Sequence, residues 1–168
     1  PLEGLCRSLD LERRPIVQQY RYSSPLGTLR LEANSKALVG LYFEDAATSP
    51  DQAGATGLLA QAVEQLDAYF AGQRKTFDLP LEMQGTDFQK AVWAGLLQIP
   101  YGQTWSYAQL AEHVGRPKAV RAVGLSNGRN PISILVPCHR VIGKNGSLTG
   151  YGGGLEKKRR LLQLEQTF

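Results

Sequence analysis

The run Ile134–Gly143 reads ILVPCHRVIG, an apolar stretch with a thiol, an imidazole and a guanidinium on three successive residues. Its apolar ends belong in a core. Its centre does not fit a regular element. Pro137 pushes Val136 toward an extended conformation. Cys138 and His139 would face opposite sides of a regular strand. Two readings follow. The run is either a core strand with odd members and an inert Cys138, or a chain bent to present one sulfur. For Cys138 and His139 to act together, the second reading needs an irregular turn or a bridging water.

The surrounding chain narrows the choice. Asn145-Gly146 marks a tight hairpin after the cysteine. Tyr151 to Gly154 (YGGG) is a backbone that can approach a flat ligand closely. A last helix is predicted over about Leu155 to Gln166. On it Lys158, Leu161, Leu162 and Glu165 share one face. Two leucines mark that face as buried, so the lysine and the glutamate each need a partner. Glu165 can accept the ring N–H of His139, and Lys158 can lie near the thiolate; the alternative is a Lys158 that snorkels to solvent. A free thiol titrates near ~8.5, so a base or a cation is what makes it nucleophilic at neutral pH. Cysteine, histidine and carboxylate have the roles of an activated-thiol triad.

Upstream, helix punctuation is strong. Thr86/Gln89 and Ser106/Gln109 both have capping-box spacing. The first opens a helix carrying Phe88, Val92, Trp93, Leu96 and Leu97; the second opens a short helix, SYAQLAEHV. Gly115-Arg116-Pro117 ends that helix, and Pro117 suits the first position of the next, read as Pro117 to Asn127. The pair is a helix-turn-helix candidate. Ala119, Val120 and Val123 form the expected inner face of its second helix. Arg121 lies nearly opposite, flanked by the small Ala122 and Gly124, which allow a close approach to a partner. The other reading is an ordinary surface arginine.

Before residue 80 the pattern changes. Alternating runs between about Val17 and Phe43 predict a small antiparallel meander. Leu59, Ala62, Val63, Leu66, Tyr69 and Phe70 recur at helical spacing, with Gly72 as C-cap. TFDLPLEMQG reads as a connector. The expectation is therefore an α/β protein in two parts. Residues 1–80 form a small lobe with a three-stranded antiparallel sheet plus a helix. Residues 81–168 form a mostly helical, winged-helix-like lobe.

Charge divides along the same line. Residues 1–100 hold 9 Lys/Arg against 12 Asp/Glu, and residues 101–168 hold 10 against 3. Arg116, Lys118, Arg121, Arg129, Arg140 and Lys144 fall in a stretch with no acidic residue. Such an excess suits a polyanion, or else is a solvated basic surface. Two cysteines, Cys6 and Cys138, are too few for a disulfide framework, and a reducing cytoplasm is expected. No 18-residue apolar run offers a membrane span, and the first 15 residues carry no secretory pattern.

NPISILVPCHRVIG followed by GYGGG resembles the active-site signature of the O6-alkylguanine-DNA alkyltransferases (methylated-DNA–protein-cysteine methyltransferases). The resemblance runs through TDFQKAVWAGLLQIPYGQTWSYAQLAEHVGRPKAVRAVGLSNG to the last helix, and AYFAG at 68–72 looks like that family's N-terminal lobe. It implies the two-lobed fold above. It also implies direct-reversal DNA repair: Cys138 takes the alkyl group of a flipped O6-alkylguanine once and irreversibly, with O4-alkylthymine left open as a second substrate. His139 would take the thiol proton through a water, and Glu165 would hold His139. Tyr107 matches the tyrosine that protonates the leaving guanine at N3, and Lys158 the lysine near the cysteine. Arg121 matches the finger that fills the vacated stack, with Ala122 and Gly124 against the minor groove. Asn130 matches the residue tying the recognition helix to the active-site loop. The carbonyls of Cys138 and Val141 would accept from the guanine amino group, Tyr151 would line the pocket and the Gly152 amide would meet O6. The implied partner is double-stranded DNA, bound by a monomer, with cooperative assembly on DNA left open. No cofactor or metal is implied, since the zinc-binding module of some relatives has no cysteine cluster here, and Cys6 has no role. The rivals are a non-catalytic lesion sensor, in which another residue replaces the cysteine, a helix-turn-helix regulator, and a cysteine hydrolase.

Overall fold

The structure, a computed structural model, describes residues 17–166; Cys6 lies outside the described residues. Strands β1 (Gln18–Ser24), β2 (Gly27–Ala33) and β3 (Leu38–Phe43) form an antiparallel sheet in that order. The first turn is tight. Gly27 holds φ +105°, and Ser24 Oγ donates to its carbonyl at 2.6 Å. Leu29, Leu31 and Ala33 alternate onto one buried face, as period-two patterning requires. Helix α1 (Gly57–Phe70) covers that face with Leu59, Ala62, Leu66 and Tyr69.

The far edge of β3 is closed by loop backbone. The Leu38 N–H donates to Pro80 and the Glu82 N–H donates to Leu38, both at 2.9 Å. Further along, the Leu41 N–H donates to Pro131 at 2.9 Å and the Ser133 N–H returns to Leu41 at 3.1 Å. The segment leading into Cys138 is thus stitched to the sheet.

Both capping boxes form. Thr86 and Gln89 open α2 (Asp87–Leu96); Ser106 and Gln109 open α3 (Tyr107–His113). Gly95 lets α2 and α3 pack closely, since a Cβ there would lie 2.9 Å from Val114. Helix α4 spans Val120–Gly128, and the indole N–H of Trp93 on α2 holds it by donating to the Ser126 carbonyl at 2.8 Å. A two-residue strand β4 (Trp105–Ser106) pairs in parallel with β5 (Val141–Ile142). Helix α5 (Leu155–Leu164) closes the fold. One continuous apolar core joins Leu31, Leu41 and Tyr69 to Trp93, Ile132, Val136 and Leu161.

Three local expectations change. The second helix begins at Val120, because Arg116–Ala119 close a turn of their own (Ala119 N–H to Arg116 carbonyl, 2.9 Å) with Pro117 at its favoured second position. Val120 is consequently exposed, and the inner face is Val123, Ser126 and Asn127. Asn145-Gly146 makes a turn, with the Gly143 N–H donating to Ser147 at 2.8 Å, but β5 pairs with β4 instead of with a returning strand. Helix α5 stops at Leu164, leaving Glu165 as its C-cap residue.

Candidate active site

The chain bends at the apolar run. Ile134 sits at φ +72°, a left-handed conformation that costs a β-branched residue on the order of 1–3 kcal/mol. The Leu135 N–H to Ser133 (2.8 Å) and the Val136 N–H to Ile132 (3.0 Å) hold the bend. Cys138–Arg140 then form a single 3₁₀ turn, with the Cys138 N–H on the Val136 carbonyl at 2.8 Å. This irregular turn is why adjacent residues Cys138 and His139 need not face opposite sides.

Cys138 opens onto a cavity of about 270 Å³. Its walls come from both lobes: Tyr42 and Phe43 of β3, the end of α4 with Asn127 to Asn130, Ser133, and the Gly150-Tyr151-Gly152 loop. Phe43 and Tyr151 meet edge to face at 5.6 Å. Gly153 passes so close to Phe43 that a Cβ would lie 2.6 Å from the ring. The Tyr151 hydroxyl is buried with no partner among the described residues.

The two residues that follow Cys138 belong to a buried polar cluster. His139 Nε2 sits 2.8 Å from Glu165 Oε2. Arg140 donates to both carboxylate oxygens, Nε to Oε1 at 2.8 Å and Nη2 to Oε2 at 3.1 Å, and its Nη1 reaches the Ile99 carbonyl at 2.7 Å. The Tyr69 hydroxyl donates to Oε2 at 2.6 Å. Burial disfavours the Glu165 charge, but the hydrogen bonds from His139 and Arg140 and the Arg140 guanidinium charge outweigh it and hold the carboxyl at about 2. An ionised carboxylate only accepts, so Nε2 carries the imidazole proton. Burial pushes the His139 pKa down and keeps the ring neutral, against the pull of Glu165. Nδ1 is therefore a lone pair, and it has no partner among the described residues. Burial raises the Cys138 thiol; the Asn130 amide, the Lys158 charge and nearby backbone N–H groups oppose that rise. The resting pair is a neutral thiol beside a neutral base.

Lys158 is fully buried. Its Nζ donates to the carbonyls of Val141 (2.6 Å) and Thr149 (2.8 Å), and desolvation lowers it to about 8. The Val141 carbonyl, expected to accept from the guanine amino group, thus already accepts from the lysine through one of its two lone pairs. Asn130 bridges the loop: its amide donates to Val136 at 2.8 Å and its oxygen accepts from Ile132 at 3.0 Å. Tyr107 stands outside the cavity wall, its hydroxyl donating to the Thr149 carbonyl at 3.2 Å and its ring 3.7 Å from where a Cβ on Gly124 would be. Arg121 and Ala122 are exposed on α4. Of the six basic residues read as one surface, Arg140 alone is buried. The sequence reading missed Tyr42, Phe43, Ser133, Tyr69 and the Arg140–Glu165 pair. Only AYFAG carried any signal, and it did not reveal the Tyr69 contact.

Two family models match. Residues 19–83 match the 6-O-methylguanine DNA methyltransferase, ribonuclease-like domain, and residues 87–167 match the 6-O-methylguanine DNA methyltransferase, DNA binding domain. The chain is 51% identical over 147 residues to the methylated-DNA–protein-cysteine methyltransferase of Mycobacterium tuberculosis, covering 86% of this chain and 89% of that one. The protein of that name from Mycobacterium leprae is 49% identical over 164 residues, covering 96% and 92%. A crystal structure of Mycobacterium tuberculosis OGT in complex with DNA superposes with a TM-score of 0.80 at 48% identity, covering 89% of this chain and 92% of that one. The chain belongs to the 6-O-methylguanine DNA methyltransferase family.

Proposed function

We propose that this protein repairs DNA by direct reversal, moving the alkyl group of O6-alkylguanine onto Cys138 in a single irreversible turnover. The observation that carries the reading is Cys138 at a cavity wall, followed in the chain by a buried His139 whose Nε2 is held by Glu165 and whose Nδ1 has no partner among the described residues. In the reaction the sulfur forms a bond to the alkyl carbon as the bond from that carbon to O6 breaks. The thiol proton passes to His139 Nδ1, through a water, and the resulting imidazolium is stabilised by Glu165. Tyr107 supplies a proton to the departing guanine, which leaves neutral. The product is a thioether, which offers no route back to the thiol.

Attack along the line of the carbon–oxygen bond requires the base to leave the duplex, which costs a few kcal/mol. Arg121 on the exposed face of α4 is the proposed wedge, with Ala122 and Gly124 allowing minor-groove approach. Arg116, Lys118, Arg129 and Lys144 are exposed nearby in sequence and suit phosphate contacts. Among the described residues no helix is long and apolar enough to cross a membrane.

Incubation with a duplex bearing O6-methylguanine should add one methyl mass to the Cys138 peptide, at one equivalent per protein. Repeated turnover, or methyl on Cys6, would overturn the reading. Cys138→Ser should keep DNA binding and take up no methyl.

A further inference from the structure

Glu165 belongs to the C-terminal lobe, yet one of its closest bonds comes from the other lobe. Tyr69 lies in the last turn of α1, 96 residues away in sequence, and its hydroxyl reaches Glu165 Oε2 at 2.6 Å with both side chains buried. We propose that Tyr69 is a positioning residue of the alkyl-transfer site, through which the N-terminal lobe holds the Glu165 carboxylate against His139. The proposal rests on the reading above that His139 receives the thiol proton.

Packing from both sides sets where the hydroxyl lies. The Tyr69 ring is fully buried and meets Phe70 edge to face at 5.3 Å, Phe77 at 5.3 Å and Tyr101 edge to face at 6.3 Å. Leu59, Ala62 and Leu66 bury the same face of α1. Desolvation and the neighbouring carboxylate push the phenol far up, so it stays a donor at every working pH. Oε2 therefore carries two close donors, Tyr69 and His139, besides the longer Arg140 bond. Donors on one oxygen compete for its charge. Without the phenol, Oε2 pulls harder on the His139 proton, and the imidazole becomes a stronger base on a carboxylate that is itself held less firmly. The charged groups facing His139 are Glu165, at the end of α5, Lys158 on α5 and Arg140 in its own turn, with the Cys138 thiol beside it. Of these the phenol bonds Glu165, so a change at Tyr69 reaches His139 through that carboxylate.

The test compares Tyr69→Phe with Tyr22→Phe. Tyr22 is likewise buried and also donates to a carboxylate, Asp67 on α1, but makes no bond to the site. Three quantities are read: melting temperature, methyl uptake in single turnover against pH, and the His139 ring titration by ¹⁵N NMR. Tyr69→Phe should slow uptake roughly 10-fold at neutral pH, the low end of what losing a histidine's orienting partner costs at metal sites. It should also move the acid limb and the ring titration upward together. Tyr22→Phe should lower the melting temperature and shift neither. A Tyr69→Phe protein whose limb and ring titration match the parent overturns the proposal, even if it melts earlier. Should Tyr69→Phe not fold, fluorotyrosine incorporated at position 69, a stronger donor, should move both downward; an unmoved titration overturns the proposal equally. A parent protein that takes up no methyl sinks the alkyl-transfer reading instead, and the ring titration still decides whether Tyr69 tunes His139.

Discussion

The buried cluster at Glu165 and the exposed face of α4 use the same residue types for opposite work. Arg140 is buried and gives three hydrogen bonds to fixed protein oxygens, whereas Arg121 is exposed on α4. Tyr69 is sealed against a carboxylate, whereas Tyr107 is half-buried at the edge of the Thr149–Gly150 loop. In a dry site a charge with no partner is expensive, so each charged member must be paired within the protein. On a wet face a charge costs little and remains free for a ligand. The two regions should therefore fail differently when altered.

The largest effect is expected inside. Arg140→Ala leaves Glu165 without its permanent cation and should cost about 3–5 kcal/mol, read as a lowered urea midpoint. Retained stability would mean the cluster is looser than its distances indicate. Next comes acid. Glu165 titrates at about 2 in the fold against 4.5 for the free group. A depressed carboxylate stabilises fully above its unfolded pKa, and that contribution fades as pH falls from there toward the folded value. Roughly 3 kcal/mol should be lost between about pH 5 and pH 2, and Glu165→Gln should flatten that slope. The smallest stability effect is outside. Arg121→Ala should change unfolding by no more than about 0.5 kcal/mol. It should nevertheless weaken repair of duplex DNA far more than reaction with free O6-benzylguanine, which needs no base flipping. Equal losses on both substrates would remove Arg121 from the wedge role and erase the contrast.

The same division marks how much could be read from the sequence. Thr86/Gln89 and Ser106/Gln109 were legible because a capping box is a bond between residues three apart, written locally. The meander was legible because alternation in Leu29, Leu31 and Ala33 is itself the burial pattern. The approach of Glu165 to His139 was legible from one helical face carrying Lys158, Leu161 and Leu162. Pro117 misled because it suits a turn as well as a helix start, and the Ala119 N–H closes the turn on the Arg116 carbonyl. Tyr69 was placed on its helix face but not on its acceptor, since nothing local in AYFAG encodes a carboxylate in the other lobe. Arg140 read as one more surface cation because its neighbours in the charge pattern are all exposed.

The closed edge of β3 also decides what kind of molecule this can be. A sheet margin normally recruits any passing strand. Here Pro80, Glu82, Pro131 and Ser133 occupy that margin with the protein's own backbone. The bonds at Pro131 and Ser133 that blunt this margin also tie down the segment leading into Cys138, so parting the two would bare the one and loosen the other together.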